Sequence, residues 1–228
     1  MAVRAIVFDL DDTLVDTFGT LITPLETEAA SRMASVGSVG CDAAKVFETI
    51  LRLRRDDPER VEERLSQDFP QLGEETLAAR RSVFAEASPD AIRIEADVRE
   101  MLSQLSGRYD TYLLTTGRTE FQNRKLELLG IRGLFKAVAI LASGSEETKE
   151  GWLKSLVSSS GYNSQSVIVV GNRLDNEMLA GRRLGMKTVW VRRGEGSGLI
   201  PREELGEPDY TISHIREFPE VLSKIEAS

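Results

Sequence analysis

Between residues 97 and 191, short apolar runs alternate with stretches of helical period, and this alternation leaves few folds open. Residues 111–114, 137–141, 166–170 and 187–191 read as buried strands. The stretches Asp97–Ser106, Glu120–Leu129, Lys149–Ser158 and Asp175–Leu184 lie between or just before them and carry apolar residues at three- and four-residue steps. Gly130 and Gly185 follow two of these stretches, where a helix C-cap is expected. Strands joined through helices pair in parallel, with the helices packed on both faces of the sheet. The expected class is therefore α/β, a Rossmann-like doubly wound parallel sheet.

One further apolar run, Ala5–Phe8, belongs with this sheet but lies far upstream of it. The block between them has only helical texture. Ile22, Leu25, Ala29, Met33 and Val36 mark one amphipathic helix, and Ala43, Val46, Phe47, Ile50 and Leu51 mark a second. Asp57 and Pro58 read as the cap and first residue of a short helix through Val61 and Leu65, and Glu74–Ala87 as a fourth helix. The simplest organisation is an all-helical insertion, residues 16–90, in a core made of residues 1–15 and 91–228.

In an open parallel sheet, ligands bind beyond the carboxyl ends of the strands. The residues there are Asp9, Asp11, Asp12 and Thr13 after the first strand, and Thr115, Thr116, Gly117 and Arg118 after the second. A polar loop leads to Lys149, and Asn172, Asp175, Asn176 and Glu177 follow a later strand. Asp9 and Asp11 stand two apart, so on extended chain both face one small volume. Carboxylates at the mouth of a buried strand need a cation or a reacting group to balance them. The set suits phosphoryl transfer through an aspartyl-phosphate: a carboxylate attacks, a metal and a lysine neutralise charge, and a hydroxyl with backbone amides holds an equatorial oxygen.

On these residues the chain resembles the haloacid dehalogenase-like hydrolase superfamily. DLDDT at 9–13 matches its DxDxT motif, and LLTTG at 113–117 resembles its second motif, a strand ending in Thr or Ser. Lys149 resembles the third-motif lysine, and VVGNRLDNEMLAGRRLGM at 169–186 resembles the fourth motif, usually GDSxxNDxxGAxxAGM. The insertion falls where the family places a C1-type helical cap, and the pattern is that of the phosphatase branch, phosphoglycolate phosphatase-like.

The resemblance implies that Asp9 is the nucleophile and an Mg²⁺ ligand. It implies that Asp11 is the general acid, then the base for water, and ligates Mg²⁺ through its backbone carbonyl. A second Asp in the motif argues against the dehalogenase and phosphonatase branches. Thr115 would bind the phosphoryl group, with Thr116, Gly117 and Arg118 on the substrate. Lys149 would orient the nucleophile, although Lys154, one helical turn on, is an alternative. The fourth motif departs from the pattern: Asn172 stands where the metal-binding Asp is usual, and Glu177 replaces the later Asp. An amide oxygen can ligate Mg²⁺ with one charge fewer. Glu177 is expected to reach the metal and Asp175 to cap the helix N-terminus.

Composition sets the remaining expectations. The 228 residues carry a net charge of −8, which opposes nucleic-acid or anionic-membrane binding. No apolar run approaches the ~18 residues of a membrane span. The first residues do not read as a signal peptide, so a cytoplasmic setting is expected. The single Cys41 reads as a small, partly buried thiol and excludes an internal disulfide. The glycines of Arg192–Gly198 read as a flexible loop, His214 as a surface or packing residue, and Arg52, Arg54 and Arg55 as a solvated helix end. The expected function is Mg²⁺-dependent hydrolysis of a small phosphorylated metabolite, with a phosphomutase or a non-catalytic binding module as alternatives.

Overall fold

The computed structural model describes residues 2–36, 42–56 and 60–227. Cys41 and the Asp57–Pro58 cap lie outside the described residues. Six parallel strands form one sheet in the order β3-β2-β1-β4-β5-β6. They are β1 (Ala5–Phe8), β2 (Asp110–Gly117), β3 (Ala137–Ala142), β4 (Val167–Gly171), β5 (Lys187–Val191) and β6 (Tyr210–Ile212). The chain order reverses beside β1, so the ends of β1, β2 and β4 open onto one crevice. Phe8 is in register with Leu113 on one side and Val170 on the other, which brings the residues following these strands together.

All four residues of β1 are buried, because both faces of the sheet are covered. Ile6 and Phe8 join the cluster under α5 (Ala96–Ser106), α6 (Thr119–Leu129) and α9 (Phe218–Ala227). Ala5 and Val7 join the opposite cluster, with Leu153 of α7 (Lys149–Ser160) and Ala180 of α8 (Leu179–Arg183). This is why β1 shows a continuous apolar run and no alternation. Gly130 ends α6 in the left-handed region at φ 57°, as a C-cap glycine does. Strand β6 and helix α9 add a final unit that the sequence reading did not contain.

Residues 18–87 hold no strand among those described, and four helices fill most of the block: α1 (Thr23–Val36), α2 (Ala43–Asp56), α3 (Val61–Asp68) and α4 (Glu74–Ala85). Met33, Val46, Ile50, Leu53 and Leu65 form an apolar cluster of their own between them. Two wide, π-type turns differ from the expected regular helices: Phe18–Ile22 leads into α1, and Leu174–Met178 leads into α8. Such turns recur at functional sites because they displace side chains from the regular helical spacing.

The stretch Arg192–Gly198 is a clasp and not a free loop. The Gly196 N–H donates to Arg54 O at 3.1 Å, and the Gly198 N–H to Arg55 O at 3.3 Å. Both carbonyls lie in the last turn of α2, where a helix has no partners of its own for them. The solvated reading of Arg54 is corrected as well. Its side chain is 13% exposed and pairs with Glu26 at 2.7 Å and with Glu195. Glu26, wholly buried on α1, also takes Arg80 of α4, so three elements of the helical block meet at one carboxylate. Arg52 does stay at the surface, paired with Asp68.

Candidate active site

Asp9 follows β1 directly, and its N–H donates to Val170 O at 2.9 Å, extending the β1–β4 pairing by one residue. This fixes the backbone of a carboxylate that is only 6% exposed. Lys149 Nζ donates to Asp9 Oδ1 at 2.6 Å and also pairs with Glu177. Thr148 caps α7 by accepting from the Gly151 N–H, which places Lys149 at the first helical position, pointing back into the crevice. Lys154 is exposed, so the lysine in the crevice is Lys149.

Glu177 is buried too, and its other oxygen, Oε2, accepts the Arg173 N–H at 3.1 Å. Both oxygens are thus engaged by Lys149 and the main chain, which departs from the expectation of a metal ligand. Gly171 makes this possible: a Cβ there would stand 2.9 Å from Glu177 Cγ. Asp175 departs from expectation as well. It pairs with Arg173 at 2.7 Å, and no side chain caps the turn that contains it.

Asp11 has its own set of partners. Lys125 Nζ donates to Oδ1 at 2.6 Å, Gln122 Nε2 to Oδ2 at 2.8 Å, and the Thr17 hydroxyl also donates to Oδ1. Gln122 Nε2 lies 3.0 Å from both Thr115 Oγ1 and Thr116 O, joining Asp11 to the end of β2. Thr115 is buried, whereas Thr116 and Arg118 are exposed at the rim. The guanidinium of Arg118 lies over the Phe121 ring, 5.1 Å from its centroid.

Sequence reading missed Lys125 and Gln122, although a signal was present. Gln122, Lys125, Leu126 and Leu129 form one inward stripe of α6, and an amide and an ammonium on such a stripe require partners.

Asp12 has φ 55° and turns its side chain under the clasp. It accepts the Phe18 N–H at 2.7 Å and the Glu195 N–H at 3.2 Å. Gly194 beside it has φ 64°, and a Cβ there would fall 2.2 Å from Asp12 Cγ, so only glycine fits. Asn172 Nδ2 donates to Glu195 O at 3.2 Å, so its Oδ1 is the end turned away from that carbonyl. Trp190 Nε1 holds Asn172 O at 2.8 Å.

Charge in the crevice is unevenly balanced. Burial pushes the Asp9 carboxyl up to about 7 against the pull of Lys149, and Glu177 and Asp11 push it the same way. Burial likewise takes Asp12 up to about 7, only partly offset by the two amides it accepts. Burial acts on Asp11 too, but Lys125 with the Thr17 and Gln122 hydrogen bonds outweighs it and holds this carboxyl below its usual range. For Lys149, burial works against the charge, but Asp9 and Glu177 outweigh it and raise its pKa.

The crevice is therefore short of positive charge at Asp9 and Asp12, which fits a cation. No three carboxylate, imidazole or thiol side chains converge as a metal site among the described residues. A cation here would draw on Asp9, the Asp11 carbonyl and Asn172 Oδ1, an all-oxygen set of the kind Mg²⁺ takes.

Fold and site together define an α/β protein with a buried carboxylate–lysine centre at the strand ends of a doubly wound sheet. The model for the haloacid dehalogenase-like hydrolases matches residues 6–191, and the chain belongs to that family. Across 98% of its length it is 27% identical to N-acylneuraminate-9-phosphatase of Rattus norvegicus, covering 95% of that protein. It is 26% identical to glyceraldehyde 3-phosphate phosphatase of Methanopyrus kandleri, with 98% of each chain covered. Among solved structures it shares its fold with a predicted phosphoglycolate phosphatase from Haemophilus somnus (TM-score 0.69, 20% identity, 96% of this chain and 98% of that one). The fold is also that of a Bacillus subtilis HAD-hydrolase described as bound to magnesium (TM-score 0.65, 17% identity, 97% and 99% covered).

Proposed function

We propose that this protein is an Mg²⁺-dependent phosphatase that hydrolyses a small phosphate monoester through an aspartyl-phosphate on Asp9. The observation that carries the reading is Lys149 held between Asp9 and Glu177, with Asp11 and its lysine facing the same crevice. The phosphatase relatives support it, and residues 16–90 take the part of a C1-type cap.

Lys149 holds Asp9 Oδ1 at 2.6 Å, whereas Oδ2 takes only the longer Thr13 hydroxyl contact at 3.4 Å, so Oδ2 is the oxygen that attacks phosphorus. The Asp9–phosphorus bond forms as the bond to the substrate alcohol breaks. Asp11 gives its proton to the departing oxygen. It then takes one from the water that attacks phosphorus and releases Asp9 with inorganic phosphate. Lys125 keeps Asp11 ionised at rest; the arriving phosphoryl charge raises its proton affinity, and Asp11 takes up from solvent the proton that it then gives to the departing oxygen. Thr115 with the amides of Thr116 and Gly117 receives the equatorial oxygens. Glu177 serves Lys149, fixing the ammonium toward Asp9. When bound beside Asp9 and Asn172, Mg²⁺ would supply the positive charge that keeps Asp9 ionised and shields the phosphoryl oxygens.

The test is phosphate release from a panel of esters with Mg²⁺, for the parent protein and Asp9→Asn. Release should fall at least a thousandfold in Asp9→Asn, with Mg²⁺ required in the parent. Persistent hydrolysis by that variant refutes the mechanism. Isomerised sugar phosphate without free phosphate would instead identify a mutase.

A further inference from the structure

The crevice above Asp9 is a cavity of about 360 Å³ with two unlike walls. One is the polar floor already described. The other is apolar: Leu21, Ile22, Leu25, Phe84 and Ala87 come from the helical block, and Phe121 from α6. Among the described residues of 16–90, the lining side chain able to hydrogen-bond is Thr17, and its hydroxyl is committed to Asp11.

At the mouth, the charged side chains are already engaged, Arg118 lying over the Phe121 ring. Arg173 pairs with Asp175, and Glu195 pairs with Arg54. Phe84 is held against the cavity by guanidinium groups behind it, those of Arg54 and Arg80, at 5.3 Å and 5.1 Å from its ring centroid. The wall is therefore built, and its surface toward the crevice is hydrocarbon.

A phosphoryl group seated between Asp9 and Thr115 leaves the alcohol half of the ester against this wall. A hydroxyl pressed there loses its water and gains no partner, so each one weakens binding. A methylene in the same place leaves water for hydrocarbon and strengthens binding. Arg118 and Asn176 also line the cavity, but they belong to the core side, so ring hydroxyls turned toward the wall of the helical block go unpaired.

From this we infer that the substrate is the phosphate monoester of an alcohol with a compact apolar body, and not a polyhydroxylated sugar phosphate. The inference rests on the phosphatase reading for its chemistry, but the wall can be tested by binding alone.

A matched pair of esters separates the two questions. Cyclohexylmethyl phosphate carries glucose 6-phosphate's CH₂–O–P link and six-membered frame without its hydroxyls. The parent protein with Mg²⁺ should show kcat/KM at least tenfold higher for the cyclohexylmethyl ester. Ile22→Asn, which places an amide on the wall, should shrink that ratio at least threefold. Where the parent turns over either ester, equal or faster hydrolysis of glucose 6-phosphate overturns the inference, as does an unchanged ratio in Ile22→Asn when circular dichroism shows the variant folded.

Calorimetric binding of both esters to Asp9→Asn with Mg²⁺ provides the arm that needs no turnover. Tighter binding of the cyclohexylmethyl ester upholds the apolar wall even where the parent hydrolyses neither ester, in which case the phosphatase reading alone fails. Equal or weaker binding rejects the wall's role whatever the turnover.

Discussion

Asn172 has two faces, and the partners of each explain why an amide can stand at a position where a carboxylate is usual. Its Nδ2 donates to Glu195 O at 3.2 Å, a bond that no carboxylate at 172 can make. Its Oδ1 is left for the crevice. An aspartate there adds charge beside Asp9, but it sets an oxygen against the Glu195 carbonyl and leaves that acceptor unpaired. Asn172→Asp should thus bind Mg²⁺ more tightly in a calorimetric titration. Without metal it should be less stable to urea by about 1–3 kcal/mol. An unchanged Mg²⁺ affinity, or an unchanged metal-free midpoint, contradicts one half of this account each. The substitution was visible in the sequence; its compensation was not, because Glu195 is brought to Asn172 by the fold and not by any spacing. Asp9 and Asp11 could be read because they stand just past the end of β1, and Lys149 because it opens the helix after the polar loop that follows β3. Lys125 was harder to read, because its place on the apolar stripe of α6, and no strand end, is all that marks it.

Among the elements, the clasp of residues 192–198 joins the most distant parts of the chain. It supplies amides to the last carbonyls of α2, an amide to Asp12, a carbonyl to Asn172 and a carboxylate to Arg54. Glu195 thus links the helical block to the crevice floor. Glu195→Ala keeps the main-chain bonds and deletes the ion pair, a charged hydrogen bond worth about 1.5–3 kcal/mol. The helical block should then open more often, by about 10–100-fold in population, since each 1.4 kcal/mol is a factor of ten. Small-angle scattering should give a larger radius of gyration, and proteolysis within residues 16–90 should quicken. An unchanged radius with unchanged proteolysis would show that the clasp holds without Glu195. The long periodic elements were legible from sequence because burial on known faces sets their pattern. The clasp was not, since glycines that cap a distant helix look like glycines in a free loop. Strand β6 was missed for a related reason: three residues carry too little pattern, and Asp209 anchors the strand through Thr188 on its neighbour.

At the scale of the whole molecule, the buried carboxylates make stability depend on pH in an unusual direction. Asp9 and Asp12 are both raised from an ordinary 3.8 to about 7. Between those values the folded protein binds their protons more tightly than the unfolded chain does, so these groups make stability fall as pH rises. The fall is up to about 1.4 kcal/mol per pH unit for each, begins near pH 4 and ends near pH 7. Asp11 acts oppositely, since its pKa is lowered: its contribution is present above 3.8 and is lost as pH drops through its folded value. Without metal, the site therefore favours a stability optimum on the acid side of the usual pH 5–8 range. A cation beside Asp9 holds that carboxylate ionised and adds binding energy that grows as the proton leaves. Urea denaturation from pH 4.5 to 8, in chelator and in saturating Mg²⁺, should show a decline toward neutral pH in chelator. The decline should shrink or reverse with Mg²⁺, and Asp12→Asn should flatten the chelator curve by its own share. Parallel curves in the two media would mean that Mg²⁺ does not bind at Asp9. Stability rising with pH in chelator would mean that Asp9 and Asp12 are ionised throughout, and that the crevice carries its charge without a cation.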